Sequence, residues 1–190
     1  MQSSQLATKF LTLGNLIKIP ILASKGTKTV QPYDVFINHR GADTKKTIAS
    51  LLYDELVIMR LRPFLDKKTM KPGDKLVSRI DEAIQGCRVG VAVFSPRYCD
   101  SYYCLHELAL MMEHKKKIIP IFCDVKPSEL RLAEYKKWSC AEKARFEIAL
   151  EEAKCSVGLA FDSQKGNWSD IVSIAVNNVI QSIMMESPRA

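Results

Sequence analysis

No acidic residue precedes Asp34, whereas the same stretch contains four lysines and several Ser and Thr residues. That composition is typical of an organelle transit peptide, but the stretch also lacks arginine, which such peptides favour. An unstructured leader explains residues 1–32 equally well, so both interpretations stay open. We treat residues 1–32 as a segment separate from the rest of the chain.

Long apolar runs are missing as well. The N-terminal apolar stretch from Phe10 to Leu22 is interrupted by Thr, Gly, Asn, Lys and Pro. A membrane-spanning helix needs roughly 18 consecutive apolar residues. The sequence therefore predicts no membrane span.

The sequence lacks the cysteine and histidine spacing of a zinc site. None of the six cysteines forms a C-x-x-C pair, and the three histidines do not fall at zinc-ligand spacings. Several cysteines lie within apolar runs, where a thiol behaves as a small buried hydrophobe. We therefore expect no metal, no disulfide framework, and the reduced thiols of a cytoplasmic protein.

Excess charge of one sign is small outside the N-terminal segment. The four early lysines contribute to a formal net charge of +7, so the remainder carries only about +3. This is too little to indicate a nucleic-acid-binding face. An apolar share of 47% instead indicates one globular domain with a real core. We place that domain at residues 33–186, with a short tail at 187–190.

The patterns present after Pro32 alternate between strands and helices. Strands are predicted where β-branched and apolar residues run together, and helices where apolar residues recur three and four apart. The predicted strands are 33–38, 61–65, 89–94 and 117–122, with a fifth further on. The predicted helices are 44–59, 74–84, one that begins near Ser101, a helical region over 130–156 that breaks near Ser139, and a last helix from about 171 to 183.

Particular residues are expected to end or bury these helices. Asp43 is predicted to cap the first helix, and Gly86 to stop the second. Two helices matter below. The residues predicted to face inward are Leu105, Leu108, Ala109 and Met112 on the helix that begins near Ser101, and Ile171, Ile174, Ala175, Val179 and Ile183 on the last helix.

This alternation predicts an α/β fold of the flavodoxin-like, three-layer kind. Its mainly parallel five-stranded sheet has the order 2-1-3-4-5, with helices on both faces. Ligands of such folds bind outside the carboxyl ends of strands 1 and 3, which here are residues 38–44 and 95–104. Glu107, close to the start of the next helix, therefore borders the predicted crevice, either as a reactive group or as an ordinary solvated charge.

Other residues around this crevice suit an anionic ligand. Arg40 can bind a phosphate or carboxylate through two donors, and Gly41 permits close approach of the backbone. Helix starts near Asp43 and Ser101 direct amide donors toward an anion. Taken alone, an arginine after a strand is more often a surface ion-pair former, and a lysine cluster is more often part of a solvated loop. The loop after strand 2 supplies the three lysines of this cluster, Lys67, Lys68 and Lys71.

Two enzyme classes with related folds are excluded. A phosphoacceptor receiver domain needs an acceptor Asp after strand 3, where this chain has Phe94-Ser95-Pro96. A nucleotide-binding Rossmann domain needs G-x-G-x-x-G after strand 1, where the chain has Asn-His-Arg-Gly-Ala-Asp over 38–43.

Four motifs resemble those of plant TIR (Toll/interleukin-1 receptor) domains. Residues 33–44, YDVFINHRGADT, are similar to the opening motif YDVFLSFRGxDTR, and residues 101–108, SYYCLHEL, are similar to SxWCLxEL. Residues 124–131 resemble the DVxPSxxR segment, and residues 146–150 lie where WxxAL is usual. The motifs occur in family order and at family-like spacing, and the chain resembles a plant TIR-only protein.

The resemblance implies an enzyme that cleaves NAD+ into nicotinamide and ADP-ribose or cyclic ADP-ribose isomers that act as immune signals. The catalytic glutamate of the family matches Glu107. Glycosidases use two carboxylates partly because their leaving oxygen must be protonated, whereas nicotinamide departs from an already cationic ring. One carboxylate can then hold the ribose hydroxyls and stabilise positive charge on the sugar. NAD+ is the substrate, and no cofactor is expected.

The resemblance carries over unevenly to other positions. Arg40 and Gly41 match residues that line the family's site, and Ser101 matches the serine near the catalytic glutamate. Tyr103 stands where the family usually has Trp, so an aromatic face for stacking is retained on a smaller ring. The family also implies that residues 66–73 of one protomer close the site of another, in a homo-oligomer held by TIR–TIR contacts.

A second reading stays open, that of a non-catalytic TIR adaptor with other TIR domains as partners. The first helix has Ser50-Leu51 where many plant TIR domains carry Ser-His at a self-association surface. Retention of Glu107, Arg40 and Ser101 favours the enzyme, since an adaptor needs none of them. A third reading, processing of nucleic acid, has little support from the mild charge of residues 33–190.

Overall fold

A computed structural model of the chain describes residues 33–44, 46–70, 73, 75–133 and 138–186. The predicted segments at 1–32 and 187–190 lie outside these residues. Five parallel strands form one sheet in the order β2-β1-β3-β4-β5, which confirms the predicted fold. The strands are β1 Val35–His39, β2 Pro63–Phe64, β3 Val89–Phe94, β4 Lys117–Cys123 and β5 Leu159–Phe161.

Helices follow the strands along the described chain. They are α1 Gly41–Thr44, α2 Ile48–Ile58, α3 Asp66–Thr69, α4 Leu76–Gly86, α5 Tyr102–Glu113, α6 Cys140–Cys155 and α7 Trp168–Glu186. Short 3₁₀ turns lie at Tyr98–Asp100 and Pro127–Glu129. Among the described helices, none is both long and apolar enough to cross a membrane.

Length and pairing distinguish the interior strands β1 and β3 from the edge strand β2. Every residue of β1 and β3 is buried, and the two strands pair in parallel from Val35 with Val89 to His39 with Val93. β2 has only two residues and pairs with β1 alone. Pro63 lacks an N–H to donate to a second neighbour, which suits this edge position.

The core has two layers because successive strand residues point to opposite faces. Val35 and Ile37 pack with α2 and α7, whereas Phe36 packs with α4, α5 and α6. Asn38 continues the Phe36 series, so its side chain points to the face that α5 covers. His39 continues the other series. The two residues that end β1 therefore serve opposite sides of the sheet.

The first helix was predicted at 44–59, and its predicted start is wrong. The chain forms the short α1, leaves it at Thr44, and starts α2 only at Ile48. Two threonine hydroxyls close this corner, because Thr44 Oγ1 donates to the Arg40 carbonyl at 3.2 Å and Thr47 Oγ1 donates to the Thr44 carbonyl at 3.1 Å. Asp43 is therefore not a helix cap, and its carboxylate binds the loop after β3 instead.

Other element predictions need smaller corrections. The helical region predicted from 130 begins only at Cys140, where Ser139 and Glu142 form a reciprocal capping box. Gly86 is the last residue of α4 rather than a stop beyond it.

One inward-facing residue, Met111, was missed, and another, Ile174, was assigned wrongly. Met111 rather than Met112 is fully buried on α5, because Gly90 of β3 leaves room for it: a Cβ there would lie 2.5 Å from the Met111 sulfur. Ile174 is 47% exposed, because the buried stripe of α7 runs through Ala175, Val176 and Val179.

Candidate active site

Glu107 lies in the second turn of α5, beside the carboxyl ends of β1 and β3. The helix starts where predicted, because Ser101 is its N-cap and accepts a hydrogen bond from the Cys104 amide at 3.4 Å. The following turn buries Cys104 and Leu105 against the sheet. Glu107 is partly buried on the same helix, facing the end of β1.

A buried hydrogen-bond network joins Glu107 to β1. Asn38 Nδ2 donates to Glu107 Oε2 at 2.8 Å and to the Cys104 carbonyl at 3.1 Å. The Tyr98 hydroxyl contacts Asn38 Oδ1 and lies 3.0 Å from the same Cys104 carbonyl. Asn38 and Tyr98 are fully buried, so their polar atoms depend on these protein partners.

The electrostatic environment of Glu107 favours the neutral, protonated carboxyl. Burial raises the pKa of this carboxyl from 4.5 to about 8, and the hydrogen bond from Asn38 opposes that rise. The negative charges of Asp66 and Asp81 raise the pKa further. Burial also raises the pKa of the neighbouring Cys104 thiol to about 12, with Glu107 adding to the effect. Cys104 is therefore a neutral thiol.

Asp43 ties together the two loops that border the crevice. Its Oδ2 accepts from the Ser95 hydroxyl at 2.8 Å, and its Oδ1 accepts from Arg97 Nη2 at 2.6 Å. Arg40 Nη1 lies 3.7 Å from the same Oδ1. The loop after β1 is thereby held against the loop after β3.

Arg40 and Gly41 occupy the positions predicted for them, at the end of β1. The Arg40 guanidinium is mostly covered, and its Nε has no hydrogen-bond partner among the described residues. A Cβ on Gly41 would meet only His39 Cε1, at 3.9 Å, so the space above this backbone is open on the protein side. The open space at Gly41 leaves room for a ligand at this strand end, and ligand binding by Arg40 or Gly41 stays a prediction.

The three predicted loop lysines do not form a described cluster over Glu107. Lys68 belongs to α3, binds Asp54 of α2 at 2.5 Å and lies 4.7 Å from the centre of the Tyr53 ring. α2 covers the opposite face of the sheet from α5. The side chain of Lys67 and all of Lys71 lie outside the described residues.

Tyr103 lies four residues, about one helical turn, before Glu107, so the two project from the same side of α5. Its ring is 51% exposed and meets Tyr102 edge-on, with centroids 5.7 Å apart. Tyr102 in turn stacks on His106. The Tyr103 ring is therefore exposed, and its stacking on a ligand stays a prediction.

Sequence reasoning missed four residues that shape the site: Asn38, Tyr98, Asp66 and Asp81. Asn38 was visible as a polar residue near the end of a buried strand, where an unpaired amide would be costly. The acids act on Glu107 by their charge, and no local pattern marks them. The sequence marked His39 only as the residue in place of the family's usual Phe. In the structure its Nδ1 lies 3.1 Å from Thr44 Oγ1, and its Nε2 lies 3.8 Å from Asp66 Oδ1.

Neither of two cavities elsewhere in the domain contains Glu107. A groove of about 400 Å³ lies between Leu130, Trp138 and α6. A smaller cavity of about 140 Å³ lies near the carboxyl ends of β1, β3 and β4, where Asp43, Ser95 and Cys123 line it. Among the residues that the structure describes, no group of acids, cysteines and histidines is arranged to hold a metal ion.

The arrangement around Glu107 suits chemistry with a single carboxyl group. One glutamate lies between a buried amide donor and an open strand end, with an aromatic ring one turn away. No described cation pairs with this carboxylate, so a cationic ligand would be its natural counter-charge.

Comparisons with known proteins agree on one family. The TIR domain family matches residues 32–173. The "probable 2' cyclic ADP-D-ribose synthase BdTIR" of Brachypodium distachyon is 51% identical over 155 residues, which cover 80% of this chain and 69% of that protein. TMV resistance protein N of Nicotiana glutinosa is 38% identical over 114 residues, which cover 58% of this chain but only 10% of that protein.

Solved structures give the same answer for the fold. The TIR domains of the activated Roq1 resistosome, which directly recognises the pathogen effector XopQ, superpose with a TM-score of 0.61 at 29% identity, covering 80% of this chain and 99% of that one. The TIR domain of the Toll-related receptor TRR-2 from Hydra magnipapillata has a TM-score of 0.53 at 19% identity, covering 80% and 98%. From its motifs, its sheet order and these matches, the chain belongs to the TIR domain family.

Proposed function

We propose that this chain cleaves the bond between nicotinamide and ribose in NAD+, releasing nicotinamide and ADP-ribose or a cyclic isomer of it. The observation that carries the proposal is Glu107, a partly buried carboxyl at the strand ends with no described cationic partner. The Brachypodium relative, named as a probable cyclic ADP-ribose synthase, supports the same activity. NAD+ acts as the substrate in this proposal.

The chemistry needs one anion and a positioned sugar. The bond between C1′ and the nicotinamide nitrogen breaks, its electron pair leaves with the ring, and nicotinamide departs neutral. Ionised Glu107 would hold the ribose hydroxyls and stabilise the positive charge left on the sugar. A carboxylate aimed at developing charge in a partly dry site is a strong contributor, about 3–4 kcal/mol for one lost group in comparable sites.

The fate of the sugar cation decides the product. Water gives ADP-ribose after losing a proton, whereas a nucleophile of the same bound molecule gives a cyclic isomer. Tyr103 supports the second route if its exposed ring stacks on the adenine and holds the ligand folded. Arg40 suits the pyrophosphate, because its guanidinium lies at the strand end and can donate two parallel hydrogen bonds to phosphate oxygens.

The raised pKa of Glu107 fits a cationic substrate. The free site favours the neutral acid at pH 7, since the pKa of Glu107 is about 8. The nicotinamide ring of NAD+ brings a positive charge, which favours the carboxylate and lowers its pKa. Binding would therefore help to ionise the group that the reaction requires.

The test is to incubate the purified full chain with NAD+ at several protein concentrations and to follow nicotinamide release. Glu107→Gln is the loss-of-function variant. Glu113→Gln makes the same chemical change on the same helix and is the matched control. We expect wild type and the control to release nicotinamide and Glu107→Gln to release almost none. Equal background rates for all three, even in concentrated protein, would contradict the proposal.

A second candidate, an adaptor that works by homotypic TIR–TIR association, is favoured by one observation. Leu51 of α2 and Ile174 of α7 are 43% and 47% exposed, and α2 packs beside α7. Apolar residues exposed on adjacent helices favour an interface between copies. Sedimentation of wild type and Leu51→Glu would test association. An adaptor would keep its association and its signalling in Glu107→Gln, whereas an enzyme would lose its signal.

A further inference from the structure

We propose that Asn38 is a positioning residue for Glu107: it binds carboxylate oxygen Oε2 and so reserves Oε1 for the ligand. The inference rests on the proposed NAD+ cleavage for its kinetic part only. It begins from three contacts of one buried amide, to Glu107, to the Cys104 carbonyl and to the Tyr98 hydroxyl.

The Cys104 carbonyl fixes which way the Asn38 amide points. A carbonyl oxygen only accepts hydrogen bonds, so the atom 3.1 Å from it must be the amide nitrogen. The flipped amide would place its oxygen against both the Cys104 carbonyl and Glu107 Oε2. The Tyr98 hydroxyl agrees with this orientation, because it can donate to Asn38 Oδ1.

An amide nitrogen has two hydrogens, and both are used. One goes to the Cys104 carbonyl, and the other goes to Glu107 Oε2 at 2.8 Å. Oε2 is therefore an acceptor whether Glu107 is ionised or protonated, and the acid form carries its proton on Oε1. Among the described residues none donates to Oε1. The two oxygens of Glu107 thus differ: Oε2 anchors the side chain, and Oε1 is available to ribose hydroxyls.

Burial makes this anchor rigid. Asn38 and Tyr98 have no exposed surface, and the Cys104 carbonyl belongs to the same helix as Glu107. Asn38 consequently connects the end of β1 to two successive turns of α5. A carboxyl held in this way keeps one rotamer, which reduces the ordering needed when substrate binds.

The hydrogen bond also acts on ionisation. Donation from Asn38 lowers the pKa of Glu107, against the larger effect of burial. Loss of that donor favours the neutral acid further. A residue that only filled space would leave the titration of Glu107 unchanged, so titration separates positioning from packing.

Asn38→Ser is the informative variant. The TIR opening motif quoted above has Ser at this position, so the fold accommodates it. The serine hydroxyl ends one atom earlier than the amide nitrogen and cannot span the gap to Glu107. Tyr98→Phe keeps the donor but removes its support. Gln85→Ala, on the exposed face of α4 at the other end of the sheet, is the control.

The experiment has two readouts. The first is the carboxyl ¹³C titration of Glu107 by NMR, assigned with Glu107→Gln. We expect the midpoint to rise by about 1 in Asn38→Ser, by less in Tyr98→Phe, and not at all in Gln85→Ala. The second is the pH–rate profile of nicotinamide release, where Asn38→Ser should shift alkaline by the same amount. Its kcat at pH 7 should fall about tenfold or more while KM changes less.

The outcomes distinguish the two proposals. An unchanged Glu107 titration in a folded Asn38→Ser protein would overturn the role of Asn38. So would a kcat that stays at the wild-type value. If wild type releases no nicotinamide, NAD+ cleavage fails, but the titration still tests whether Asn38 binds and tunes Glu107.

Discussion

Helix α5 carries two glutamates in opposite environments. Glu113, its last residue, receives two hydrogen bonds from Arg145, at 2.5 Å to Oε1 and 2.9 Å to Oε2, and its pKa is lowered chiefly by them. Glu107 receives one hydrogen bond from a neutral amide, and burial raises its pKa to about 8. One helix therefore holds an ordinary ion-paired carboxylate and a carboxyl that keeps its proton.

The difference between the pKa values of Glu107 and Glu113 is opposite in sign to the effect of the helix dipole. The dipole favours an anion near the start of a helix, where Glu107 lies, and disfavours one at the end, where Glu113 lies, by about 0.3–1 kcal/mol. The rise from 4.5 to about 8 corresponds to ~5 kcal/mol. Burial and the choice of partner therefore outweigh position on the helix. A reactive carboxyl is recognised by what surrounds it.

The largest expected effect is on the rate of nicotinamide release, which should distinguish Glu107 from Glu113. Glu107→Gln should reduce nicotinamide release at least 100-fold, since one lost electrostatic group costs about 10²–10³ in rate. Glu113→Gln should stay within about twofold, because its carboxylate is a surface ion pair. Initial rates of nicotinamide release at saturating NAD+ measure both variants. Similar losses in Glu107→Gln and Glu113→Gln would contradict the distinction between the two glutamates.

The next effect is on stability and has a defined sign. The folded chain keeps the Glu107 proton up to about pH 8, whereas the unfolded chain releases it near 4.5, so wild-type stability falls as pH rises through this window. The Glu107→Gln variant lacks this ionisable carboxyl, so its stability does not change with pH for this reason. Glu107→Gln should therefore gain on wild type by as much as ~5 kcal/mol between pH 4 and pH 9. Urea unfolding across this range measures it, and parallel curves would show that Glu107 titrates normally.

The pH–rate profile should show the same group in the free enzyme. If the ionised form of Glu107 is the reactive one, kcat/KM should rise about tenfold per pH unit from pH 6 and level off near pH 8. Glu113→Gln should follow the wild-type curve. A profile that is flat from pH 5 upward would mean that substrate meets an already ionised carboxylate.

The smallest effect concerns the ion pair at the other end of the helix. Arg145→Lys replaces the two-point contact with Glu113 by a single one and should cost less than about 1 kcal/mol. That loss should shrink as pH falls and Glu113 becomes protonated, opposite to the behaviour at Glu107. Denaturant midpoints at pH 7 and pH 4 give the sign.

The sequence predicted elements wherever one local pattern decides them. The apolar run at 89–94 coincides with β3, and Ser101 begins α5 as its cap. The corner between α1 and α2 was missed, because it depends on threonine hydroxyls that bind the backbone rather than on apolar spacing. The full burial of Met111 was not predicted, because it depends on a gap above Gly90 that only packing reveals.

The residues of the candidate site likewise fall into those that the sequence predicted and those that it did not. Motif residues, Glu107, Ser101 and Arg40, came from the sequence because their order along the chain is informative. Asn38 did not, because its importance arises from α5 crossing the end of β1. Lys68 was expected near the crevice from its place in the loop, yet it binds Asp54 on α2. Long charged side chains select partners in three dimensions, which a linear pattern does not record.

Arg145 also fixes a histidine tautomer. Its Nη1 lies 2.9 Å from His106 Nδ1, and because a guanidinium only donates, Nδ1 must carry the lone pair. The ring proton then lies on Nε2, 3.7 Å from Asp81 Oδ1, and Asp81 is one of the acids whose charge acts on Glu107. Arg145 thus joins Glu113 to His106, whereas Asp81 acts on Glu107 through its charge alone. The tautomer of His106 can be read from the ¹⁵N shifts of this single imidazole.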